Sequence, residues 1–162
     1  MSETRSRLSR NAAKHRPHRT EERFFAARAD ARHACEELRS IIRRSSIHDT
    51  MKQELLVAVT RAEAQLAGLT PTTVHPGARA KEIGKHVGHL RIAEAWVAAA
   101  DRVLGRMRGV GPSSLRRELE ERQEAVMWCV RAEKWDGHLT AAVTQLEVTV
   151  KEAEVHASRK AG

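Results

Sequence analysis

The amino-acid sequence predicts an all-α fold, an up-down bundle of four to five long antiparallel helices. Only 3% of the residues are aromatic and none is Tyr. The core must therefore be built mainly from aliphatic residues, of which Ala and Leu favour helices. Apolar residues recur at three- and four-residue intervals over most of the chain, which is typical of amphipathic helices. No segment alternates convincingly like a strand, and short connections make consecutive helices antiparallel neighbours.

The length of 162 residues, with 41% hydrophobic and 31% charged residues, suits one folded domain. We predict a helical bundle over residues 20–157, a disordered basic tail over 1–19 and a disordered C-terminus over 158–162. Apart from Met1, Leu8 is the only large apolar residue of the tail, which therefore cannot offset the entropy of its own ordering. The tail cations are Arg5, Arg7, Arg10, Lys14, Arg16 and Arg19.

The first two predicted helices have clear apolar stripes. The first begins near Thr20, a fair N-cap residue, and ends around residues 43–46. The second runs over about 47–69 and is stopped by Gly68 and Pro71. The first stripe is Phe24, Ala27, Ala31, Ala34 or Cys35, Leu38 and Ile41 or Ile42, and the second is Met51, Leu55, Ala58 or Val59, Ala62, Leu66 and Leu69.

The third predicted helix runs from Pro76, which suits a first helical position, to about residue 108. Apolar residues cover most of its circumference, which predicts the central helix of the bundle. Small residues on its remaining side would let another helix approach closely. These are Ala80, Gly84, Gly88, Ala95 and Ala99.

The fourth helix is predicted to begin at Ser113 or Ser114, after a turn rich in Gly. Its apolar stripe loses phase between Val126 and Leu139, and the pair Asp136 and Gly137 lies in that gap. We therefore predict a kink or break there, followed by a fifth helix that ends at about residue 157.

The formal net charge of +8 and the sequence pI of about 10.3 favour anionic partners such as DNA or RNA. In an up-down bundle, the end of the first helix and the turn between the third and fourth lie at the same end. Such an end, or the basic tail, could grip phosphates without reading sequence. The alternative is a solvated basic surface. The cations at this end are Arg43, Arg44, Arg102, Arg106, Arg108, Arg116 and Arg117.

Residues 80–97 combine Ile83-Gly84, Val87-Gly88 and Arg91. This spacing resembles the first helix and turn of a DNA-binding helix-turn-helix motif. The pattern then departs, because His89 and Glu94 stand where that motif buries apolar residues. One continuous helix with two close-packing glycines explains the same residues, at about 1 kcal/mol per Gly relative to Ala.

Three polar side chains share one side of the third predicted helix: Glu82, His86 and His89. A carboxylate and imidazoles one turn apart can share a metal ion. However, the metal-binding patterns H-E-x-x-H and E-x-x-H are absent, and no fourth ligand is evident. The alternative is a hydrogen-bonded, partly buried polar patch, and we expect neither a metal nor another cofactor.

Trp128 and Trp135 are seven residues apart, so a continuous helix would place them on one face, away from its inward stripe. Either the C-terminal helix folds back over this face, or the two side chains anchor an oligomer or another helical protein. With neighbouring cations, they could also stack on nucleic-acid bases.

The sequence contains no P-loop, dinucleotide-binding or nucleophile-elbow motif, so we expect no enzymatic activity. Cys35 and Cys129 read as small buried hydrophobes rather than a disulfide framework. No stretch approaches the length of a membrane span, and a cytoplasmic protein is expected. The leading hypothesis is a non-enzymatic binding protein for nucleic acid or a nucleoprotein assembly. The alternatives are a scaffold that self-associates through Trp128 and Trp135, and a metal- or ligand-binding bundle.

Overall fold

The computed structural model describes the backbone of residues 2–107 and 112–161 and the side chains of residues 19–107 and 112–159. These residues form helices and no strand, which confirms the predicted all-α class. The helices are α1 (Ser2–Arg44), α2 (Asp49–Ala67), α3 (Pro76–Arg106), α4 (Ser113–Arg131) and α5 (Gly137–Ala161).

Successive helices run in opposite directions, and α3 is in contact with each of the other four. The guanidinium of Arg28 in α1 lies within 3.5 Å of the Leu69 carbonyl oxygen after α2. At the opposite end, the backbone N–H of His48 donates to Asp101 near the end of α3. The prediction that the third helix is central is therefore confirmed.

The predicted apolar stripes form the core. Phe24, Leu38 and Ile42 of α1 are fully buried, as are Leu139 and Leu146 of α5. These positions follow the three-four spacing that keeps one face of a helix turned inward. The core is mostly aliphatic, as the aromatic-poor composition requires.

The helix bounds cover part of both predicted tails, and the predicted disorder of residues 1–19 and 158–162 stays a prediction. The bounds of α1 include residues 2–19, for which disorder was predicted, and α5 continues past residue 157 to Ala161. The side chains of residues 1–18 lie outside the described part of the chain, so the role of their cations stays a prediction.

The helix-turn-helix interpretation of residues 80–97 is wrong, because α3 runs through this segment without a turn. A Cβ atom added to Gly84 would lie 3.5 Å from the Cβ of Ala31, whereas one added to Gly88 would meet nothing within 4 Å. Gly84 thus packs closely against α1, but Gly88 and Ala95 are exposed. We expected a neighbouring helix to approach closely along all of the small residues. The structure shows this approach at Gly84 but not at Gly88 or Ala95.

The predicted break near Asp136 is confirmed, and α4 ends at Arg131. The N–H of Lys134 donates to the Cys129 carbonyl at 3.0 Å and that of Glu133 to the Val130 carbonyl at 3.3 Å. Glu133 has a φ of 57°, so this termination has the pattern of a Schellman motif with a left-handed residue after the cap. The turn redirects the chain before Trp135 is reached.

Candidate functional site

Asp101, near the C-terminal end of α3, joins the connection between α1 and α2 to the middle of α4. Its Oδ2 accepts the N–H of His48, in the connection between α1 and α2, at 2.9 Å. Its Oδ1 accepts Nε2 of Gln123 from α4 at 2.6 Å. The buried Gln123 also donates to the Val97 carbonyl oxygen at 3.1 Å. These bonds connect the end of α1, the end of α3 and the middle of α4, and the bond from Arg116 to the Met107 carbonyl oxygen connects the start of α4 to the end of α3.

This surface, called here the arginine-rich end, carries most of the cations that the sequence predicted for it. Arg43, Arg44, Arg102, Arg106 and Arg117 are exposed, and Arg116 is half-buried. The Arg116 guanidinium donates to the Met107 carbonyl oxygen, and Nε of Arg44 donates to the Ser40 carbonyl oxygen. Arg108 lies outside the described residues.

Within the described residues, none of these six arginines forms an ion pair with a carboxylate. Elsewhere, several arginines do: Arg39 pairs with Glu63, and Arg131 pairs with both Glu54 and Glu124. The hydrogen bonds of Arg131 to Glu124 and then Glu54 raise the pKa of its guanidinium. The guanidinium groups of the arginine-rich end therefore keep their capacity to bind an external anion.

A cleft opens at this end between the C-terminal turns of α1 and the second half of α3. Its walls include Ile41, Arg44, Glu94, Ala98 and Arg102, and its volume is about 510 Å³. Glu94 is only 5% exposed. In the sequence, Glu94 stands out only as a departure from the helix-turn-helix pattern. Its place in a cleft could not be predicted, because the opposite wall belongs to another helix, α1.

Glu82, His86 and His89 do not form a metal site in the described structure. Nδ1 of His89 lies 2.8 Å from the Trp135 carbonyl oxygen, so the ring nitrogen donates to it, and the His86 ring meets the Trp135 ring edge-on at 6.4 Å. No group of three or more His, Cys, Asp or Glu side chains among the described residues is arranged to hold a metal ion. Among the described residues, His89 is the one of the three with a hydrogen bond, and Glu82 is exposed, so a hydrogen-bonded patch is observed only at His89.

The prediction that Trp128 and Trp135 share a face is wrong, because α4 ends between them. Trp135 is 3% exposed, and its indole Nε1–H donates to the Val130 carbonyl oxygen at 3.0 Å. Trp128 is 52% exposed, with the Lys134 ammonium 5.8 Å from its ring centre. Trp135 is therefore a core residue, and Trp128 alone remains as a candidate contact residue.

Both cysteines are buried and unpaired, as the sequence predicted for small hydrophobes. Burial raises the pKa of the Cys35 thiol and of the Cys129 thiol. The raised pKa disfavours the nucleophilic thiolate form at neutral pH. Neither cysteine is therefore placed for nucleophilic chemistry.

None of the helices in the described part of the chain is both long enough and apolar enough to cross a membrane. Comparison of the sequence with protein-family models and with curated proteins, and of the structure with solved structures, finds no match.

Proposed function

We propose that this chain is a non-enzymatic cytoplasmic protein that binds nucleic acid, or a nucleoprotein assembly. The contacts would be made by the arginine-rich end and by the cations of residues 1–19. The observation that carries the proposal is the convergence of six arginines near the ends of α1 and α3 and the start of α4, none of which pairs with a carboxylate of the described residues. Guanidinium groups in this state bind phosphate oxygens in a bidentate manner.

The placement of Arg116 and Arg117 supports an anionic ligand over a merely solvated surface. They are the fourth and fifth residues of α4, close to its N-terminus, where the helix dipole disfavours positive charge. A phosphate bound there would be stabilised both by the dipole and by the guanidinium groups. Glu118 and Glu121 are also exposed in this region. Because these carboxylates repel phosphates, we expect only a small number of phosphate contacts.

The test is binding of the full-length protein to labelled duplex DNA, single-stranded DNA and RNA over a salt series, measured by fluorescence anisotropy. The logarithm of the affinity should fall with the logarithm of the salt concentration by about 0.7 to 0.9 per phosphate contacted. Absence of binding to every one of these polymers at low salt would refute the proposal.

Charge-neutral variants of the full-length chain locate the contacts. We expect the triple variant R44Q/R102Q/R106Q to bind more weakly and to show a shallower salt slope. A matched control is R23Q/R32Q/R79Q, which removes the same charge from exposed arginines elsewhere in the described structure. Equal losses in both variants would indicate a response to net charge alone. A variant with Gln at the six tail cations tests the N-terminal segment separately.

A second candidate function is self-association, and the exposure of Trp128 favours it. Large aromatic side chains that remain half-exposed are enriched at protein interfaces. Sedimentation of the wild-type protein and of Trp128→Ala over a range of concentrations tests this candidate. A wild-type monomer at high concentration would exclude it, and a dimer lost in the variant would support it.

A further inference from the structure

Glu94 is a buried carboxylate that forms neither a hydrogen bond nor an ion pair within the described structure. Among the described residues, every buried side-chain nitrogen or oxygen that is sealed from solvent has a hydrogen-bond partner. The carboxylate oxygens of Glu94 must therefore remain reachable from the cleft that it lines. A carboxylate that faces an open cleft and has no partner among the described residues can accept hydrogen bonds from a bound ligand.

The rest of the cleft combines an apolar surface with a cationic rim. Ile41 of α1 and the small Ala95 and Ala98 of α3 line it between the charged groups. Arg44 and Arg102 stand at its edge and are exposed, and neither pairs with a carboxylate in the part of the chain that the structure describes. The cleft has a volume of about 510 Å³ and opens widely to solvent.

This combination discriminates among classes of ligand. A simple anion would be attracted by Arg44 and Arg102 but repelled by Glu94. An organic cation would be attracted by Glu94 but would meet two guanidinium groups. A nucleotide satisfies all three features, because its flat base suits an apolar cleft, its edge carries N–H donors and its phosphate is anionic.

The acceptor chemistry of Glu94 selects among the bases. An ionised carboxylate accepts hydrogen bonds and donates none. Guanine presents N1–H and N2–H side by side, which match the two carboxylate oxygens. Adenine and cytosine each present one amino group, and thymine and uracil flank their N3–H with carbonyl oxygens that a carboxylate repels. In a duplex these edges are occupied by the paired base, so the ligand must be single-stranded.

We propose that this cleft binds an unpaired guanine of single-stranded nucleic acid. Glu94 accepts hydrogen bonds from its Watson–Crick edge, while Arg44 and Arg102 contact the flanking phosphates. This proposal rests on the proposed function and adds base selectivity to it. In this proposal the anionic Glu94 recognises the base, whereas the cations Arg44 and Arg102 bind the backbone phosphates.

The test compares oligomers of about twelve nucleotides, measured by fluorescence anisotropy with the full-length protein. One oligomer contains only thymidine, one has a single central guanine, and one has inosine there, which lacks the N2 amino group. The guanine oligomer should bind about tenfold more tightly than the thymidine oligomer, as expected for one bidentate contact to a base. The inosine oligomer should lie between them.

Glu94→Gln distinguishes recognition from simple charge repulsion. Removing a negative charge near phosphates should leave thymidine binding unchanged or make it tighter. We expect guanine binding to fall in the same variant, so that the preference is lost. Glu118→Gln makes the same charge change at an exposed position of this end and should keep the preference.

The outcomes separate this proposal from the proposed function. Equal affinity of the wild-type protein for guanine and thymidine oligomers, or an equal gain for both in Glu94→Gln, would overturn the guanine site and leave general nucleic-acid binding intact. No binding of any oligomer at low salt would refute the proposed function itself. If Glu94→Gln does not fold, the comparison of guanine with inosine in the wild-type protein still decides the matter.

Discussion

The side-chain amide of Gln123 lies 2.6 Å from the carboxylate of Asp101, which joins α4 to α3 at the arginine-rich end. Gln123 is buried, and its second acceptor is the Val97 carbonyl oxygen. Because Asp101 also accepts the N–H of His48, one carboxylate fixes the relative positions of three chain segments. The positions of the arginines therefore depend on hydrogen bonds among Gln123, Asp101 and His48, in which no arginine takes part.

We expect Gln123→Ala to lower the free energy of unfolding by about 1 to 3 kcal/mol, because it opens a gap and removes two hydrogen bonds. Asp101→Ala should have a similar effect, and the double variant should cost less than the sum of the two. Urea unfolding of the four proteins measures this coupling. Strict additivity would show that Gln123 and Asp101 do not act together.

Trp135 and Trp128 should differ sharply in their contribution to stability. Trp135→Ala removes a buried ring and its hydrogen bond to Val130, so we expect a loss of about 3 to 5 kcal/mol. Trp128→Ala, at a half-exposed position, should change the free energy of unfolding by about 0.5 kcal/mol or less in the monomer. Thermal or urea unfolding at low protein concentration checks both variants. Equal losses would contradict the burial that distinguishes the two side chains.

The two tryptophans also show where sequence reasoning succeeds and fails. The stripes that begin at Phe24 and Leu139 could be predicted because a helix buries positions at three-four spacing. The break after α4 could be placed only by the loss of phase near Asp136. The helix is in fact terminated with Glu133 in a left-handed conformation. This position usually carries Gly, and only a Gly there would have indicated the helix end from the sequence.

Of the candidate site, the sequence predicted the clustering of positive charge but not the cleft. Arg44 and Arg102 could be assigned to one end because short connections make neighbouring helices antiparallel. The cleft around Glu94 could not be predicted, because it depends on the distance and rotation between α1 and α3. Those quantities are set by packing between helices, such as that of Ala31 against Gly84, and the small residues of one helix do not identify the residues that they contact.

The glycines of α3 give a prediction about this packing. Gly88→Ala adds a methyl group that meets nothing within 4 Å, so we expect a gain of about 0.5 to 1 kcal/mol from reduced backbone entropy. Gly84→Leu places a large side chain against Ala31 and should cost about 1 to 3 kcal/mol. Urea unfolding measures both effects. Destabilisation by Gly88→Ala would mean that another surface covers this side of α3.

The start of α5 should show a pH dependence that comes from Asp136. Its Oδ1 accepts the backbone N–H of His138 at 3.0 Å and lies 2.9 Å from Nδ1 of the same residue. The backbone hydrogen bond first, and then the side-chain hydrogen bond, lower the pKa of the Asp136 carboxyl below its usual value. Since the folded pKa is below the unfolded one, ionised Asp136 stabilises the folded state. That contribution is fully present above the unfolded pKa of about 3.9.

We therefore expect Asp136→Asn to lower the thermal midpoint at neutral pH by less than Asp136→Ala does, because Asn remains a good N-cap without the charge. The difference between wild type and Asp136→Asn should shrink as the pH falls below about 4, through the lowered pKa of Asp136, since the carboxyl then becomes neutral. Thermal unfolding of the three proteins between neutral and acidic pH measures this. Asp49→Asn, an exposed substitution in the first turn of α2, serves as the control for a general charge effect. A difference at Asp136 that stays constant over this pH range would show that the ionised form has no special role at the start of α5.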